Sequence, residues 1–99
     1  MAVQGSVKEK DKTKIKTPKR YVVIMHNDDF TPMDFVVDIL MTIFHKEYEE
    51  AVSIMMSIHK GKRGIVGTYS YDIAKSKAEQ AMTAAKAEGY PFRITVEEE

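Results

Sequence analysis

The segment from Met33 to Phe44 would be apolar around almost its whole circumference as a helix. Only Asp34, Asp38 and Thr42 interrupt the apolar surface, and at helical spacing these three residues form one narrow polar stripe. A helix with so little polar surface packs on more than one side. The rest of the chain must therefore supply elements that cover this helix.

The residues before this helix predict a strand and a helix start. Residues 21–25 form a β-branched apolar run that is short enough for a strand. Thr31 is a good N-cap, Pro32 suits the first helical position, and Asp34 could close a capping box near the positive end of the helix. The sequence therefore predicts a strand, a polar turn and a helix that runs to about Phe44.

The second half of the chain continues the alternation of helices and strands. The pattern predicts a second helix over 47–60 with Gly61 as its C-cap, a strand over 65–69, a third helix from the N-cap Ser70 to about Lys86, and a half-buried strand over 92–96. The order β-α-α-β-α-β indicates an α+β fold, with a three-stranded antiparallel sheet and three helices packed on one of its faces.

The charge is distributed unevenly along the chain. Residues 1–20 carry seven basic and two acidic residues, whereas residues 21–99 carry eight basic and thirteen acidic ones. Residues 1–19 show no apolar periodicity, so we expect a disordered basic N-terminal extension followed by one domain over 20–99. Since that domain is acidic, we expect no nucleic-acid partner.

Composition also predicts the cellular environment. The chain has no cysteine, which excludes a disulfide framework and thiolate metal sites. No apolar run approaches the length of a membrane span, and the basic N-terminus lacks the apolar stretch of a signal peptide. We therefore expect a cytoplasmic protein without a membrane partner.

The densest cluster of polar residues spans 26–29, in the predicted turn before the first helix. If the first two helices pack as a hairpin, Met33 and His59 lie at the same open end. This arrangement would bring polar side chains together beside an apolar pocket. The polar set is Asn27, Asp28, Asp29 and His59, and the apolar neighbours are Thr31, Met33, Val36, Met55 and Ile58.

Three interpretations of this cluster remain open from the residues alone. The polar residues could serve only the turn and the helix end, with the apolar ones in the core. Two His and two Asp could bind a divalent metal, but the paired spacing of a metalloenzyme helix is missing. An acidic rim beside an apolar pocket could instead bind a peptide N-terminus, which combines an ammonium group with a side chain. The chain has no Ser-Gly elbow, so we expect no acyl-transfer site.

The run from Tyr21 to Val36, YVVIMHNDDFTPMDFV, resembles the signature of the ClpS family of Clp protease adaptors. Its most specific part is Asn-Asp-Asp-aromatic-Thr-Pro-Met, and the resemblance continues at 51–59, 67–77 and 90–92. It implies a fold like the C-terminal domain of the ribosomal stalk protein. It also implies binding of proteins whose first residue is Leu, Phe, Tyr or Trp, without catalysis and without a cofactor or metal.

The resemblance also implies residue roles. The α-amino group of the bound peptide would be held by Asn27, Asp29 and His59, with Asp28 assisting through water. The side-chain pocket would be lined by Thr31, Met33, Val36, Met55, Ile58 and Phe92, with Met33 as the gate against β-branched residues. Asp72 and Lys77 would contact the N-terminal domain of a Clp AAA+ unfoldase, which would engage the basic extension during delivery.

Two features depart from the family pattern. At position 92 the family more often has a smaller aliphatic residue than Phe92, and the loop 60–64 is more basic than the family pattern predicts.

The alternative function is a regulatory module that docks on the ATPase and modulates it without presenting substrates. An open rather than a filled pocket would favour the adaptor.

Overall fold

The computed structural model describes residues 17–99 and confirms the predicted element order. Residues 1–16, which make up most of the predicted disordered extension, lie outside the described residues. The elements are β1 (Tyr21–His26), α1 (Met33–Thr42), α2 (Tyr48–Gly61), β2 (Arg63–Tyr69), α3 (Tyr71–Ala87) and β3 (Arg93–Glu98).

The three strands form one antiparallel sheet in the order β2-β1-β3. The first strand is central because it pairs with both others, and its pairing with β2 shifts at a bulge between Val23 and Ile24. This register places His26, the last residue of β1, between Arg63 of β2 and Arg93 of β3. The end of the sheet beside the polar turn is therefore rich in basic groups.

The core lies between the sheet and the helices. Val23 and Met25 of the central strand and Leu40 of α1 are completely buried. Helix α3 packs through a stripe of small residues at helical spacing, which lets its backbone approach the sheet closely: Ala74, Ala78, Ala81 and Ala85. The apolar helix α1 is covered by its neighbours, as its sequence requires.

The structure corrects the predicted start of α1. The N-cap is Pro32 rather than Thr31, and no side chain caps this helix end. The Thr31 hydroxyl instead donates to Asp28 Oδ2 over 2.7 Å. The capping box predicted for Asp34 is also absent, because the N-cap Pro32 has no backbone N–H to donate to its carboxylate. Ser70 is the N-cap of α3, as predicted, but its side chain also makes no capping hydrogen bond.

The ends of the first two helices differ from prediction as well. Helix α1 stops at Thr42, and His45, with a left-handed φ of 57°, turns the chain away shortly after it. The Lys77 ammonium group donates to the Ile43 carbonyl oxygen over 2.8 Å, which satisfies one of the free carbonyls at this helix end. Helix α2 includes Gly61, and the left-handed C-cap is Lys62, with a φ of 73°. The glycine that predicted this turn thus lies one residue too early.

Candidate functional site

Asp28 shapes the turn that joins β1 to α1. Its Oδ1 accepts the backbone N–H groups of Phe30 at 2.8 Å and Thr31 at 2.7 Å, and its Oδ2 accepts the Thr31 hydroxyl. Burial opposes ionisation of Asp28, but these hydrogen bonds outweigh it and hold the pKa of the carboxyl below its ordinary value. Asp28 therefore acts first as a structural anchor of the turn.

A backbone hydrogen bond joins this turn to the start of β2. The Asn27 N–H donates to the Lys62 carbonyl oxygen over 2.9 Å. Lys62 immediately follows α2, whose last turn carries His59. This bond therefore brings the acidic turn and His59 to the same end of the molecule, although 32 positions separate Asn27 from His59 in the chain.

Gly64 sets the distance between β2 and α2. A Cβ atom at this position would lie 2.8 Å from the Ile58 Cγ1 and 3.2 Å from the Ile54 carbonyl oxygen. Contacts this short would force the helix away from the strand. Because Ile58 and His59 are consecutive, the glycine also determines where His59 lies relative to the turn.

These contacts create a cavity of about 340 Å³ at the predicted site. The structure brings all four residues of the predicted amine site to it, together with two of the six predicted pocket residues. The lining consists of Asn27, Asp28, Asp29, Phe30, Thr31, Pro32, Met33 and His59. Phe30, which sequence reasoning did not assign to the site, is 74% exposed beside it. Its position within the Asn-Asp-Asp-aromatic-Thr run was the available signal.

The cavity can receive a cationic group that donates several hydrogen bonds. Asn27, Asp29 and His59 are exposed, and no hydrogen bond between side chains of residues 17–99 engages them. Together they offer an amide oxygen, a carboxylate and an imidazole nitrogen as acceptors. An ammonium group presents three donors, which matches this set.

The predicted apolar pocket is not one open cavity in this structure. Val36, Ile58 and Phe92 are buried in the core, with exposures of 5%, 3% and 5%. Met55 instead lines a neighbouring groove of about 310 Å³ on the other side of Met33, between α1 and α2. Met33 is 45% exposed and borders both concavities, so its side chain separates them.

The two residues predicted to contact an unfoldase differ in their surroundings. Asp72 is exposed in the first turn of α3. Lys77 is half-buried, and besides donating to Ile43 its ammonium nitrogen lies 6.0 Å from the centre of the Phe44 ring. Two exposed apolar residues that sequence reasoning missed flank Asp72, namely Tyr71 at 47% and Ile73 at 48%. Ile73 falls off the alanine stripe of α3, which was the available signal for it, whereas Tyr71 continues that stripe and packs against the Tyr21 ring at 5.0 Å.

Two further findings concern other classes of site. Within residues 17–99, no group of three or more His, Cys, Asp or Glu side chains is placed to hold a metal ion. Across the same residues, no helix combines the length and the apolar character that crossing a membrane requires.

Comparisons with known proteins identify the family of the chain. Residues 16–95 match the family model described as ATP-dependent Clp protease adaptor protein ClpS. The chain is 44% identical to the ATP-dependent Clp protease adapter protein ClpS of Paraburkholderia xenovorans, over 95% of this chain and 90% of the relative. It is 41% identical to the protein of the same name from Wolinella succinogenes, over 99% of both chains.

A solved structure gives the same result for the fold. The structure of Agrobacterium tumefaciens ClpS2 bound to L-phenylalaninamide superimposes with a TM-score of 0.81 at 35% identity, over 84% of this chain and all of that one. With this fold, the family model and the relatives define the class of the protein as a protease adaptor. The chain belongs to the ClpS family of adaptors of the ATP-dependent Clp protease.

Proposed function

We propose that this adaptor binds free protein N-termini that begin with Leu, Phe, Tyr or Trp and delivers those proteins to a Clp AAA+ unfoldase. The observation that carries the proposal is the cavity in which Asn27, Asp29 and His59 meet beside Met33. In this proposal the cavity holds the α-amino group, and Asp28 keeps the turn in shape.

The apolar residues next to the cavity support recognition of the first side chain. Met33 is exposed and unbranched, so its side chain can change rotamer to admit a ligand. Val36 follows Met33 by one helical turn, and Ile58 precedes His59, so both are within reach of a side chain that displaces Met33. The relative from Agrobacterium tumefaciens was solved with L-phenylalaninamide, which carries an amino group and an aromatic side chain.

The expected affinity is moderate. Burial of a Leu or Phe side chain contributes about 1.5–3 kcal/mol, and each charge-assisted hydrogen bond to the ammonium group about 1.5–3 kcal/mol. After the cost of association, binding in the micromolar range remains, on the order of −8 kcal/mol. An adaptor that must release its substrate to a protease requires such a reversible grip.

Delivery uses other parts of the chain in this proposal. Asp72 docks on the N-terminal domain of the unfoldase, with Tyr71 and Ile73 as apolar neighbours and Lys77 nearby on the same helix. Residues 1–19 are the segment that the unfoldase engages. The adaptor contributes no catalysis and works in the cytoplasm.

The test compares a Leu-starting peptide with its N-acetylated copy by calorimetric titration. Acetylation removes the positive charge and leaves the acceptors of the cavity unpaired, so we expect affinity to fall at least 100-fold, or about 2.8 kcal/mol at about 1.4 kcal/mol per tenfold. The variant Asp29→Asn should bind the free peptide more weakly, and its affinity for the acetylated peptide should be unchanged. Equal binding of the two peptides by the unaltered protein would contradict the proposal.

One observation favours the alternative, a regulatory module that docks on the ATPase without presenting substrates. Val36, Ile58 and Phe92 are buried in the core, so they offer little surface to the side chain of a peptide. The alternative predicts that Leu- and Gly-starting peptides bind equally. The adaptor predicts a clear preference for Leu, because displacement of Met33 gains buried apolar area only with a large side chain.

A further inference from the structure

Four of the eight basic residues in the acidic part of the chain, residues 21–99, lie at one end of the sheet. Lys60 lies in the last turn of α2, Lys62 is its C-cap, Arg63 begins β2, and Arg93 begins β3. All four are exposed. We call these four residues the cationic patch.

The charges of the patch are free for a ligand. Within residues 17–99 the salt bridges use Lys19, Lys46 and Lys75, and none uses a residue of the patch. Arg93 donates only to the His26 Nδ1, over 3.4 Å, which is a long contact with a neutral group. The charges of Arg93 and Arg63 lower the pKa of His26, and the opposing effect of the Glu97 carboxylate is smaller than either. The patch thus presents positive charge that the described residues do not neutralise.

A groove gives the patch a shape. A concavity of about 720 Å³ runs along α2 to the start of β2, and Met56 forms the apolar part of its lining. Ser53, Ser57, Lys60, Gly61 and Arg63 complete the lining. Two of the cationic groups therefore border a depression that has room for several side chains.

The patch is continuous with the amine cavity. His59 lines the cavity and the next residue, Lys60, lines the groove. The Asn27 N–H, on the acidic side, donates to the Lys62 carbonyl oxygen on the basic side. A chain whose amino group is held by Asp29 can therefore reach the patch with the residues that follow.

We propose that the cationic patch binds carboxylate side chains of the same substrate whose N-terminus occupies the amine cavity. This inference rests on the proposed function. The first residues of the substrate lie beside Asp28 and Asp29, which repel carboxylates. Three extended residues span about 10 Å, so positions four to six are the first that the patch can attract.

An acidic polypeptide fits this surface better than a nucleic acid does. The patch is small, and the surrounding residues 21–99 carry thirteen acidic groups, including Asp28 and Asp29 beside it. A phosphate backbone has uniform charge and would meet these carboxylates as well. A peptide held by its N-terminus can place isolated carboxylates at the patch, and the first contact raises their effective concentration there.

The experiment titrates two Leu-starting peptides that differ only at positions four to six, with three Glu or three Gln. In low salt we expect the Glu peptide to bind about threefold to tenfold more tightly, and we expect 0.5 M NaCl to remove the difference. The variant Lys60→Gln/Lys62→Gln/Arg63→Gln should lose the preference and keep the affinity for the Gln peptide. Lys86→Gln, an exposed lysine in the last turn of α3, is the matched control and should keep the preference.

Further arms separate the possible failures. N-acetylated copies of both peptides test the proposed function: equal binding of free and acetylated Gln peptides contradicts the proposed function, whatever the patch does. If the free amine is required but the Glu and Gln peptides bind equally, the inference about the cationic patch is overturned and the proposed function stands. The inference is also overturned if a single-stranded oligothymidylate binds the patch more tightly than the Glu peptide. Lys60→Glu/Arg63→Glu should shift the preference toward a peptide with Lys at positions four to six, which verifies that the site is intact.

Discussion

The turn at 27–32 and the connection at 60–64 are two polar segments joined by one backbone hydrogen bond, yet they use their charges differently. In the turn, Asp28 accepts three hydrogen bonds from its own segment. In the connection, the side chains of Lys60, Lys62 and Arg63 make no salt bridge within residues 17–99. The turn is shaped by a charged side chain, whereas the connection is shaped by its backbone, through the left-handed Lys62 and the close approach at Gly64.

This difference shows how neighbouring charges divide their tasks. The carboxylate of Asp28 is engaged within its own turn, whereas the side chains of Asn27 and Asp29 make no hydrogen bond with another side chain of residues 17–99. Charges that play no part in local structure, such as those of Lys60 and Arg63, can be changed without loss of the fold. The two segments should therefore respond very differently to substitution.

The largest effect on stability is expected from Gly64→Ala. The added methyl group would lie 2.8 Å from the Ile58 side chain and 3.2 Å from the Ile54 carbonyl oxygen, so α2 must move. We expect a loss of about 1–3 kcal/mol in the free energy of unfolding and weaker peptide binding because His59 shifts. Chemical denaturation and peptide titration measure both. Gly61→Ala, where an added Cβ meets nothing within 4 Å, is the matched control. Equal stability of the two variants would show that α2 and β2 are not tightly apposed.

The turn should respond to Thr31→Val by a smaller amount. This change removes the hydroxyl that donates to Asp28 Oδ2 and keeps the shape of the side chain. We expect a loss of about 1 kcal/mol in the free energy of unfolding. The pKa of Asp28 is lower in the folded protein than in the unfolded chain, so its ionised carboxylate stabilises the fold. This stabilisation is fully present above the unfolded pKa and is lost as pH falls through the folded pKa. Denaturation at neutral and acidic pH should therefore show a smaller acid loss in Thr31→Val, whereas Thr31→Ser should behave like the unaltered protein.

The smallest effect is expected at His26, where the two segments meet. Burial, and then the charges of Arg93 and Arg63, hold the pKa of His26 below its ordinary 6.5, with Glu97 opposing them. Since Arg93 can only donate, His26 Nδ1 accepts and Nε2–H donates to the Thr95 hydroxyl at 2.8 Å, which requires the neutral ring.

Because the folded pKa of His26 is lowered, its contribution to stability is present above about pH 6.5 and is lost as pH falls toward the folded value. Thermal midpoints of the unaltered protein and His26→Gln should therefore diverge at pH 7.5 and converge at pH 5. The comparison cancels the titration of other groups, since both proteins share them. A constant difference across this range would show that His26 does not titrate on folding.

The sequence by itself determined the order of the elements and the convergence of the site. Local signals were sufficient to predict the order β-α-α-β-α-β. They are the apolar surface of 33–44, the alternation at 92–96 and the residues typical of helix ends, Pro32, Gly61 and Ser70. Asn27, Asp28, Asp29 and His59 were also predicted to meet, because a hairpin of two helices leaves little choice about which ends are adjacent.

Only the tertiary structure decided which partner each polar group takes. The Thr31 hydroxyl could bond either to Asp28 or to the start of α1, and in the folded turn it donates to Asp28. Lys77 finds the Ile43 carbonyl oxygen 34 positions away, and Arg93 finds His26 67 positions away. Side-chain hydrogen bonds form between groups that the packed backbone brings within about 3 Å, a distance that no local pattern in the chain encodes. For the same reason, the burial of Val36 and Phe92 and the exposure of Met33 appear only once the helices are packed on the sheet.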